Sequence, residues 1–129
     1  MRNAIVTFAA VAIIAGGATS AGARARHHHK AHAAFDINST SWEFTQGGEA
    51  KQESIGPDGK YVIHSGAKHL DHGTVVMKAS KACFTSLMNT DGEMCWTTHP
   101  TAIGATLRTV SDKGEKLAVK RVKYTPPKM

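Results

Sequence analysis

The chain has 129 residues, 41% of them hydrophobic and 20% charged, with 16 Lys+Arg against 10 Asp+Glu, eight histidines and two cysteines. That is about one domain's worth of chain. It excludes a collagen, a coiled coil, a disulfide-dense scaffold and a multi-pass membrane protein. Apolar positions spread over 35–124, unlike the composition of a disordered chain.

Residues 1–23, MRNAIVTFAAVAIIAGGATSAGA, read as a signal peptide. Arg2 supplies a positive start, 4–15 is an apolar run broken only by Thr7, and Ala21-Gly22-Ala23 is an A-x-A cleavage site. A spanning helix needs ~20 apolar residues, and 16–22 is too small and polar to complete one. No cysteine stands near the cleavage site, which excludes a lipoprotein anchor. The mature chain is then expected to begin at Arg24, with no transmembrane segment after processing and a periplasmic or secreted address.

Residues 24–34, RARHHHKAHAA, form a tail with three basic residues, four histidines and no large apolar side chain. Such a stretch has nothing to bury, so a flexible tail is expected. His27, His28, His29 and His32 are the densest ligand cluster of the chain. Neutral imidazoles suit zinc, nickel or copper, so any metal affinity is expected there.

From Phe35 to Met129 a single β-domain is expected. Short β-type runs at 41–45 (SWEFT), 51–55, 60–64 (KYVIH), 72–78 (HGTVVMK), 81–88, 93–98, 105–110 and 115–124 alternate with Gly, Pro, Asn and Asp turn signals. No run carries a helical stripe. The expectation is all-β: a small antiparallel meander of about eight short strands, closed as a barrel or as a two-sheet sandwich. In the last run Leu117 and Val119 share one face while Val122 and Tyr124 share the other. A β-bulge at Lys120-Arg121 would return both pairs to the core. The alternative is a sheet whose two ends are buried on opposite faces.

Cys83 and Cys95 flank the turn signal Asn89-Thr90-Asp91-Gly92. An exported chain favours a structural disulfide between them, and there is no C-x-x-C redox motif. A four-residue loop would place Ser86 rather than Cys83 opposite Cys95, so direct pairing needs a longer loop or a bulge.

Other chemistry is sparse. His69, Asp71 and His72 carry the donor types of a zinc site. They fall in an expected turn, however, where Asp71 would cap before Gly73 and the histidines would face opposite ways. Ser65-Gly66-Ala67-Lys68 matches S-x-x-K without its partner motifs, and Asn38-Ser39-Thr40 is a glycosylation acceptor string. With no nucleophile, base and orienter in view, the chain is not expected to be an enzyme. Lys116, Lys120, Arg121, Lys123 and Lys128 suggest a basic C-terminal edge strand, suited to an anionic envelope polymer. Nucleic acid is not expected, for want of a stacking platform.

The strings STSWEFT, DHGTVVMK, KACFTSLM, EMCW and SDKGEKLAVKRVKYTP resemble small exported single-domain β-proteins of Gram-negative bacteria. In these, a paired-cysteine hairpin has Trp after its second cysteine. The resemblance implies export and a β-fold, and no activity. A looser likeness to periplasmic lysozyme inhibitors lacks their inhibitory loop motif. The functional expectation is a non-catalytic exported domain binding a partner at the cell envelope, an anionic polymer or an envelope protein. The alternatives are metal binding through the tail and inhibition of a secreted hydrolase.

Overall fold

A computed structural model describes residues 35–129. Eight strands follow one another: β1 (Thr40–Gln46), β2 (Glu49–Ile55), β3 (Lys60–Ser65), β4 (Lys68–Lys78), β5 (Lys81–Ser86), β6 (Glu93–Thr97), β7 (Thr106–Val110) and β8 (Lys116–Val122). Every neighbour pair is antiparallel, in the spatial order β6-β5-β4-β3-β2-β1-β8-β7. The first connection shows why the runs fold as hairpins. Gly47 and Gly48 both take positive φ, 61° and 77°, the two-residue turn whose twist matches that of the flanking strands. Among the described residues no helix is long and apolar enough to cross a membrane.

Of the two closures open to the sequence, the structure takes the nearly closed barrel. β8 pairs with β1 from Phe44↔Val119 to Ser41↔Val122. The remaining gap, between β6 and β7, is stitched by a single Trp96↔Ser111 bridge. Side chains reinforce this seam: Thr109 Oγ1 donates to the Thr97 carbonyl at 2.6 Å and the Val110 amide donates to Thr97 Oγ1 at 3.0 Å. Lys81 Nζ adds an exposed contact to Asp112 at 2.9 Å, and its hydrogen bond holds the Asp112 carboxyl below the usual carboxylate range.

Period-two alternation sorts the side chains. Ile37, Trp42, Ile55, Tyr61, Val75, Ala82, Leu107 and Val119 make the interior core. Several outward positions are buried as well, because the chain beyond β8 lies across β1. Ser41 Oγ accepts from the Thr125 amide at 2.9 Å and hydrogen-bonds Ser54 Oγ at 3.0 Å.

That overlay corrects the expected bulge at Lys120-Arg121. The β8 register on β1 is regular, and inward Leu117 and Val119 coexist with a half-buried outward Val122. Nor is β8 an edge, since it lies between β1 and β7. Arg121 stands in phase with Trp42, and its Nη1 donates to the Thr101 carbonyl at 2.7 Å. The irregularity falls elsewhere: Ile63 pairs with Asp71 but His64 pairs with His69, leaving Leu70 as an extra residue on β4.

Cys83 and Cys95 stand directly opposite one another on β5 and β6 and are disulfide-bonded. The β5–β6 connection is longer than the four-residue loop, because pairing ends at Thr85↔Glu93. Cys83 alternates with inward Ala82 and Phe84, so the bond lies on the outer face of the sheet.

Candidate functional site

The barrel encloses a cavity of about 260 Å³. Trp42 and Phe44 from β1, Ile63 from β3, Phe84 from β5 and Met94 and Trp96 from β6 form much of its wall. Ile37, from the segment that leads into β1, lines it at one end. At the other end stand the exposed lining residues Asn89, Asp91, Gly92 and Lys113. These belong to the β5–β6 and β7–β8 loops, which mark the mouth.

Two carboxyl groups face this largely apolar space. Glu53 on β2 and Asp71 on β4 both pair with Ile63, one from each side. Their backbones are therefore two strand spacings apart, roughly 10 Å. Asp71 is well supplied with donors: the Tyr61 hydroxyl at 3.0 Å, the Ser86 hydroxyl, and the His72 amide at 2.9 Å. Tyr61 is held in turn by an edge-on contact with Phe84, ring centroids 5.2 Å apart. Burial, then the hydrogen bond to Asp71, raises the Tyr61 hydroxyl above its ordinary pKa.

Glu53 differs. It is only 9% exposed, and among the described residues its carboxyl has no hydrogen-bond partner. Burial, and secondly the charge of Asp71, push its pKa up to about 8 from an ordinary 4.5. An acid in such a place either keeps its proton or waits for a partner that brings hydrogen or positive charge.

Other residues singled out in the sequence fall as follows. His27, His28, His29 and His32 lie outside the described residues, as do the expected leader and tail. His69, Asp71 and His72 sit within β4, not in a turn. Asp71 points into the barrel and does not cap. The extra residue Leu70 brings His69 and His72 onto one face, their rings stacked with centroids 5.1 Å apart. They were expected to point apart. The three do not form a cluster of converging ligand atoms. Among the described residues only Cys83, Glu93 and Cys95 bring three donor atoms within 4.8 Å of one another, and a disulfide offers no thiolate to a metal.

Glu53, Tyr61 and Ser86 were not singled out in the sequence. A signal for Glu53 exists: it alternates in phase with Ile55, a carboxylate placed where the strand's buried face requires an apolar residue.

Fold and site together define a small disulfide-bonded antiparallel β-barrel with an acidic pair inside an apolar cavity. Compared with protein-family models, with curated proteins and with solved structures, the chain matches none.

Proposed function

We propose that the chain is an exported, non-catalytic binding protein that takes a small, largely apolar ligand into its barrel. The observation that carries this reading is the cavity, walled by aromatic and aliphatic side chains and opening between two loops. Ligand sites are concave and mostly apolar, with a few convergent polar groups, and this interior has that composition. The envelope address rests on the leader pattern of 1–23 and is supported by the Cys83–Cys95 disulfide, a bond of oxidising compartments. Trp42 and Trp96 both line the cavity, so ligand entry is readable in intrinsic fluorescence. Titration with neutral medium-chain alcohols should give a saturable one-to-one change, confirmed by native mass spectrometry. A flat response across chain lengths would refute the reading.

The tail supports a second reading, metal binding through His27, His28, His29 and His32, carried by four imidazoles within six residues.

A further inference from the structure

Resting on that reading, we infer that the barrel selects ligands bearing an amine, with Glu53 and Asp71 receiving the ammonium group and the aromatic wall holding the apolar body. The inference stands on what the interior lacks. The two acids away from its mouth are Glu53 and Asp71; Tyr61 and Ser86 are engaged with Asp71, Trp42 and Thr109 donate to Thr40 and to the Thr97 carbonyl, and the buried Thr98 hydroxyl, without a partner among the described residues, is neutral. Asp71 is donated to by Tyr61, Ser86 and the His72 amide. Glu53, nine-tenths buried, accepts from no described residue. The basic lining residue, Lys113, is in an exposed loop at the mouth.

Each ligand class meets this arrangement differently. A carboxylate ligand would be brought against two acids without a cation. A neutral alcohol would satisfy Glu53 with one hydrogen bond and gain nothing from the pair. An ammonium supplies three donors and the missing charge. Trp42 and Phe44 line the same space, aromatic rings attract a cation, and charge-assisted hydrogen bonds are the strong ones.

Proton balance follows. With its pKa pushed up to about 8, Glu53 holds a proton at neutral pH, so an ammonium that pairs with it must release that proton to solvent. The groups facing Glu53 from the packed elements are Asp71 on β4 and Tyr61 on β3; Arg121 on β8 lies in the same row beyond Trp42, outside the cavity lining, with its guanidinium donating to the Thr101 carbonyl. Trp42, its partner on β1, does not titrate, and Asp91 and Lys113 stand at the mouth. Binding of the amine should therefore tighten as pH rises from 6 toward 8, with uptake of one ammonium and loss of one proton.

The test uses the full chain with its disulfide intact and three probes of equal chain length: heptylamine, heptanol and heptanoate. By tryptophan fluorescence the amine should bind about tenfold or more tighter than the alcohol, and the carboxylate weakest. Titration calorimetry at pH 6.5 in buffers of different ionisation heat should show about one proton released with the amine and none with the alcohol. Glu53→Gln should bring amine and alcohol to within about threefold of each other, chiefly by weakening the amine. The proton count needs no variant and stands even if Glu53→Gln fails to fold. Heptanol binding without amine preference, or amine binding without proton release, overturns the inference and leaves the small-ligand reading intact. Binding of none of the three removes both.

Discussion

Tyr61 donates its phenolic hydrogen to Asp71 at 3.0 Å, while Glu53, on the strand beyond Tyr61's own, has no such donor among the described residues. Two acids in one apolar interior are thereby made unequal. One is wrapped in hydrogen bonds, and the other is left to retain its proton.

A pH dependence of stability follows. Between about pH 4.5 and 8 the unfolded chain has lost the Glu53 proton and the folded chain keeps it. The folded state binds more protons there, so stability falls as pH rises through this window. Glu53→Gln cannot ionise. Its melting temperature should gain on the wild type as pH rises, by an equivalent on the order of a few kcal/mol at pH 9. Thermal melts from pH 5 to 9 check this; a constant gap between the two proteins would contradict it.

The disulfide should matter to stability, because it closes a loop of sequence separation 12. In the chain-entropy account such a loop contributes roughly 3 kcal/mol. Replacing both Cys83 and Cys95 with Ala should lower the denaturation free energy by about that amount. In the intact protein both sulfurs should resist thiol reagents until a reductant is added.

Gly73 is fixed by space. A Cβ there would be driven into the Thr85 backbone carbonyl, where β4 and β5 pair as Gly73↔Ser86. Gly73→Ala should destabilise by about 2 kcal/mol or more. Gly66, with φ of 57° and open space around it, should lose only about 1 kcal/mol on the same change. Urea titration of both variants compares them directly, and equal losses would count against a steric origin.

For metal, deleting residues 24–34 should abolish Ni²⁺ and Cu²⁺ affinity. Calorimetry on the truncated protein reads this. Retained affinity that disappears in His69→Ala would transfer the site to the stacked His69–His72 pair on β4.

The strands were legible because turn signals and two-residue alternation are local properties. Gly47-Gly48 and Gly56-Pro57-Asp58-Gly59 punctuate the chain regardless of what packs on them. The Cys83–Cys95 bond was legible from compartment and count. The site was much less so. Glu53 and Asp71 become partners only through β3, and that register is set by a bulge at Leu70 which no residue type announces. Val122 misled for a related reason: its burial comes from chain that returns across the outside of β1, a relationship between Ser41 and Thr125 that alternation within one strand does not encode.

The pairing of β1 with β8 carries a consequence for assembly. From β1 to β6 each strand docks on the strand just before it, whereas the second neighbour of β1 comes from the far end of the domain; Ser41 and Thr125 are 84 residues apart. Until β8 forms, one side of β1 is an unpaired backbone edge able to recruit another chain. A chain stopped short of Lys116 would keep the first seven strand segments and both cysteines yet lack that cover. Such truncations should aggregate through β1 and not settle as a smaller barrel.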